Sequence, residues 1–119
     1  MFRVLAQSRI TINRHIDVSE NYANNMRLYE ATGCGAMLLT DHKDNLSALF
    51  RIGEEVVTYR TKEEAKDLIE HYVRDRVASS QIAAGGRNRT LTDHSYFSRM
   101  TELASILDTR LCKTRAKNR

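Results

Sequence analysis

Along the chain the spacing of apolar positions changes several times, and each change predicts an element. RITIN (9–13) alternates and is β-branched, the pattern of a short strand. Ahead of it FRVLAQS reads as the last turns of a helix, and behind it RHIDVSENYA reads as a polar loop. Asn24 or Asn25 is placed to cap a short helix that stops at Gly33 or Gly35. AMLLT (36–40) is too short for a helix and suits a strand buried on both faces. DNLSALF (44–50) predicts a short helix, and EVVTYR (55–60) a third strand. Thr61 and Glu64 form a capping box that opens a helix with Ala65, Leu68, Ile69, Tyr72 and Val73 on one face. Two more helical segments are expected, at about 80–90 around a Gly-Gly break and at about 93–108. Tyr96, Met100, Leu103 and Leu107 would form the inner face of the last.

Strands alternating with helices, then helices alone, imply an α/β fold: a Rossmann-like, three-layer arrangement around a parallel sheet, with C-terminal helices. About three strands are visible, where a doubly wound domain has five or six. The sheet is therefore expected to be truncated at its front. One domain over residues 1–109 accounts for the length, followed by a basic, flexible tail over 110–119.

Charge changes the picture little once it is located. The chain carries a net +4, but the last ten residues hold five basic residues and no acid; without them 14 basic residues face 15 acidic ones, a net of −1. A solvated end explains the tail better than a nucleic-acid grip, so no nucleic-acid partner is expected. No apolar run approaches the ~18 residues of a membrane span. Two widely separated cysteines, Cys34 and Cys112, suit a reduced, cytoplasmic setting. The histidines and acids show no metal-ligand spacing, and no metal or cofactor is expected.

EATGCGAMLL tempts a reader towards a phosphate loop, but there glycines follow a strand and open a helix. Here they close a helix and lead into a strand, so Gly33 and Gly35 read as a left-handed stop and a tight turn. The anion-binding end would be the helix start at Asn24, Asn25 and Met26. Arg27 and Glu30 share a face: the carboxylate suits ribose hydroxyls and the guanidinium a phosphate, or the two are a surface pair contributing about 0.2–0.5 kcal/mol. Asp41 ends a parallel strand, where it either lines a ligand cleft or caps the next helix, the commoner role. Asn13 and Arg14, at the end of the strand before it, are further cleft-lining candidates. Arg87 and Arg89 either approach nucleotide phosphate or belong to a solvated helix end.

NNMRLYEATGCGAMLLTD, followed by NLSALF, GEEVVTYRTKEEAKDLI and AAGGRNRTLTDHSYFSRMTELASIL, resembles the group-1-like glycosyltransferase domain that includes the spore maturation CgeB proteins. The resemblance spans about residues 8–107 and includes the form N-x-R-x-x-E-A-x-x-x-G-x-x-L-L-T-D. It implies the C-terminal half of a GT-B enzyme, holding a nucleotide-sugar donor without metal. It implies a ribose-binding role for Glu30 and a donor-phosphate region at Asn25, Met26 and Arg27. Many related enzymes carry two glutamates eight apart; the position eight before Glu30 is Tyr22, and Glu20 is out of register, so no catalytic residue is assigned. Acceptor recognition in such enzymes comes from an N-terminal half, so turnover is not expected from this chain alone. The alternative is a non-catalytic module that pairs with that half, encoded separately, or with itself.

Overall fold

The computed structural model describes residues 1–117; positions 118 and 119, at the end of the expected tail, lie outside the described residues. The first elements are a short helix α1 (Phe2–Gln7), strand β1 (Ile10–Asn13) and a 3-10 turn (Asp17–Ser19) within the expected polar loop. Then come α2 (Arg27–Gly33), β2 (Met37–Asp41), α3 (Leu46–Leu49) and β3 (Val57–Tyr59). Three helices close the chain: α4 (Lys62–Arg74), α5 (Arg76–Asp93) and α6 (Tyr96–Lys117). The expected α/β architecture is the observed one.

The three strands lie side by side in the order β1-β2-β3, all parallel, with Ile10 opposite Met37 and Leu39 opposite Val57. β2 is central, and its buried Met37–Thr40 run supplies both faces, as a double-sided strand requires. Leu38 meets Leu28 and Ala31 of α2, Leu46 of α3, Phe50 and Val56 in one cluster. Met37 and Leu39 meet Val57, Ile82 and Ala83 of α5, and half-buried Leu68, Ile69 and Tyr72 of α4 in the other.

Local sequence explains the joints. α2 ends in a Schellman motif: Gly35, at φ +85°, donates from its amide to Thr32 O (2.9 Å), and Ala36 donates to Ala31 O (3.1 Å). Thr61 Oγ1 accepts from the Glu64 amide (3.1 Å), while the Glu64 carboxylate accepts from the Arg60 amide (2.7 Å), one residue earlier than a standard capping box. Arg9 reaches the other end of α4, donating to the free carbonyls of Tyr72 and Val73.

Several expectations need correction. Neither Asn24 nor Asn25 caps α2: the helix starts at Arg27 with Met26 in the cap position, and no side chain accepts there. Asn24 Oδ1 accepts instead from Ser19, and Asn25 bonds to Asn13. Val73 is half-exposed, because Tyr72 and Ile69 already span the contact with the sheet. α5 runs unbroken through Gly85 and Gly86, which lie against the carbonyls of Glu54 and Glu55 just before β3. The glycines serve close approach rather than a break.

The largest correction concerns α6. Tyr96, Met100, Leu103 and Leu107 face no interior; they are 45–83% exposed, as are Phe97, Ile106 and Leu111. The helix projects from the body, extending the molecule to 65 × 27 × 24 Å, with a radius of gyration of 17.3 Å. A compact chain of this length would have about 13–14 Å. Its root is fixed by His94, whose Nε2 donates to Leu49 O (2.8 Å) while Arg99 donates to Nδ1 (2.7 Å). α6 also continues to Lys117, past the boundary at 109 suggested by charge.

Candidate functional site

All three strands end at one edge, at Asn13, Asp41 and Tyr59, and a cleft of about 480 Å³ opens there. The strand order never reverses, and α2 and α3 both pack in the first cluster. The cleft therefore does not arise where crossovers diverge to opposite faces, the usual origin of such crevices. It is built by the turn after β1, carrying Arg14, His15 and Asp17, and by the start of α4, carrying Arg60, Thr61 and Lys62.

Asp41 holds that turn in place. Its Oδ1 accepts from the His15 backbone amide (3.0 Å), from His15 Nδ1 (2.7 Å) and from the Thr40 hydroxyl (3.2 Å). Thr40 Oγ1 accepts from Asn13 Nδ2 (3.0 Å), and Asn13 Oδ1 accepts from Asn25 Nδ2 (3.0 Å). A continuous polar chain thus runs along the strand ends to the start of α2. The His15 ring is fully buried within it. Lys43 lies with its Nζ 3.5 Å from Asp41 Oδ2 and donates to Glu20 O (2.6 Å), whose residue adopts φ +47°.

Burial pushes the Asp41 carboxyl up, but the hydrogen bonds from the His15 ring and backbone amide, with the nearby charge of Lys43, outweigh this and leave it below the ordinary range. Burial, and then the Asp41 charge, push the Tyr59 phenol up against an opposing pull from Arg14; its hydroxyl donates to Asn13 O (2.8 Å). A depressed carboxyl contributes stability that is present above its unfolded value of about 3.9 and lost as pH falls through the folded value. Asp41→Asn is therefore expected to be less stable than the parent at neutral pH, with the gap narrowing below about pH 4, as read from urea unfolding at several pH values.

Four cationic side chains, Arg14, Lys43, Arg60 and Lys62, face the cleft against two carboxylates, Asp17 and Asp41. Arg14 is loosely paired with Asp17 at 3.4 Å, both exposed, which holds it weakly. Lys43 donates one hydrogen bond, to Glu20 O, and pairs with Asp41 at 3.5 Å. The cleft's balance is positive and suits a polyanion.

The anticipated residues separate into two groups. Asn13, Arg14 and Asp41 belong to the strand-end edge, and Asp41 lines the cleft rather than capping α3, whose cap position is Asn45. Arg27 and Glu30 stand outside the cleft lining as a pair at 3.6 Å on α2; the Glu30 side chain is 17% exposed, so it does not extend into bulk water. Met26 is exposed. The Asn25–Asn13 bond joins the two groups. Arg89 is occupied by Glu55 and Asp93, at 3.0 and 2.6 Å. His15, Lys43, Arg60 and Lys62 were not anticipated as site residues. Each lies within three positions of a strand's C-terminal end, which is the signal that finds them. Among the described residues no group of three or more His, Cys, Asp or Glu side chains converges as a metal site.

A family model described as glycosyl transferase-like matches residues 1–105. The chain belongs to that glycosyl transferase-like family. No curated protein and no solved structure matches it. Membership assigns this glycosyl transferase-like domain to glycosyl transfer, and its strand-end cleft is where an open parallel sheet presents a ligand. No helix among the described residues of the domain is long and apolar enough to cross a membrane.

Proposed function

We propose that this chain is the nucleotide-sugar-binding half of a hexosyl-type glycosyltransferase, the C-terminal half of a GT-B enzyme of the CgeB-like kind. The observation that carries the reading is the positive cleft at the C-terminal ends of all three strands. Arg14, Arg60 and Lys62 meet the donor diphosphate there, and neither Arg60 nor Lys62 is engaged in an ion pair among the described residues. Basic side chains of this kind stabilise a leaving diphosphate without a metal ion. The start of α2, at Asn25, Met26 and Arg27, is fastened to the same edge, with Glu30 one turn on for the ribose hydroxyls. Acceptor binding and turnover belong to an N-terminal half.

Calorimetric titration with UDP, GDP and dTDP tests this. Saturable binding of at least one is expected, weakened about tenfold or more by Arg60→Ala with Lys62→Ala, and about tenfold by Glu30→Ala. Failure of all three nucleotides to bind would sink the proposal. A second reading, a non-catalytic module that captures its separately encoded N-terminal half or a second copy, draws on the exposed apolar side chains of α6. Partner capture by a chain that binds no nucleotide would support it.

A further inference from the structure

The polar chain at the strand ends has a direction. The Asp41 carboxylate only accepts, so the Thr40 hydroxyl donates to it; that oxygen accepts from Asn13, and Asn13 Oδ1 is left to accept from Asn25. On the other side His15 Nδ1 donates to the same carboxylate. One anion sets every bond, and each end of the chain is left with an acceptor: Asn25 Oδ1 and His15 Nε2. Among the described residues these are the two buried side-chain nitrogen or oxygen atoms without a hydrogen-bond partner. Native structures rarely leave such atoms unmatched, because an unpaired buried acceptor costs its full desolvation.

His15 lies in the wall of the cleft, with its side chain fully buried. The chemistry missing at Nε2 is a donor. Ionised phosphate oxygens are acceptors, so the diphosphate does not supply one; a hydroxyl does. We propose that His15 Nε2 accepts a hydrogen bond from a sugar or ribose hydroxyl of the bound nucleotide sugar. This rests on the cleft being the donor site. The labour is then divided: Arg14, Arg60 and Lys62 take phosphate, and the His15 end of the Asp41-polarised chain takes a hydroxyl. Shielded from competing water, such a bond discriminates strongly between a ligand that has the hydroxyl and one that lacks it.

His15→Asn isolates the atom, because its amide keeps a donor for Asp41 and removes Nε2. The titrants are UDP-, GDP- and dTDP-glucose, alongside inorganic pyrophosphate. The expected result is an affinity for the tightest nucleotide sugar about tenfold weaker in His15→Asn, with pyrophosphate binding unchanged. In the parent protein, the His15 Nε2 nitrogen resonance is expected to move on adding that nucleotide sugar and to stay still with pyrophosphate. This second measurement does not depend on the variant folding. An unmoved resonance, or an unchanged nucleotide-sugar affinity, overturns the inference and leaves a buried water as the partner. Equal losses for nucleotide sugar and pyrophosphate overturn it as well. If the parent binds no nucleotide at all, the donor-site reading falls first and the inference with it, an outcome plainly distinct from the others.

Discussion

Phe50→Ala is expected to lower the unfolding free energy by about 3–5 kcal/mol, the range for deleting a buried aromatic ring. The ring is fully buried, with Tyr29 and His94 at centroid distances of 6.1 and 5.1 Å. Truncation leaves those neighbours facing a void that the surrounding helices cannot close without moving α2 or α3. His94 is itself fastened to Leu49 O and Arg99, so the damage reaches the root of α6. Urea unfolding read by tryptophan-free methods such as circular dichroism gives the number. Phe50→Leu, which keeps most of the volume, is expected to lose less than half as much. A loss below about 1 kcal/mol for alanine would contradict the packing described for this cluster.

Gly86→Ala tests the opposite kind of error, too much volume. Helix propensity alone favours alanine by about 1 kcal/mol inside a helix such as α5. Here the added methyl would collide with the Glu55 carbonyl oxygen and press on Thr32 Cγ2 at 3.2 Å. The carbonyl is backbone and has no other rotamer to adopt. Overpacking is therefore expected to win, with a net loss of about 1–3 kcal/mol in the same unfolding measurement. Gly33→Ala is the control: its new methyl would meet Thr90 Cγ2 at 3.4 Å, ordinary contact, and stability is expected to change little. Stabilisation by Gly86→Ala would show that α5 does not approach the chain before β3 so closely.

The strands were legible because their signals are local. Alternation in β1, the apolar run of β2 and the β-branched start of β3 each fall inside five residues or so. That a left-handed glycine stops α2 was equally readable, but not which one: Gly33 is the last helical residue and Gly35 takes the positive φ. What the sequence hid was tertiary. The heptad-like stripe of α6 looks the same whether or not a partner covers it, and here its Tyr96, Met100, Leu103 and Leu107 stay exposed among the described residues. The asparagines at 24 and 25 had the chemistry of caps, but Ser19 and Asn13 compete for them across the loop. His15 carried no motif at all. Its place beside Asp41 follows from the β1–β2 register, which sets Asn13 opposite Thr40 and so brings the turn just past β1 beside the last residue of β2.

The separation of α6 from both core clusters has a mechanical consequence. Among the described residues none of its side chains joins either cluster, and its root is fastened through His94 to Leu49 O of α3. Substitutions along the outer length of that rod leave the strand-end geometry untouched. The domain thus carries an appendage whose surface can change without reshaping the strand-end pocket, whose lining includes no residue of α6.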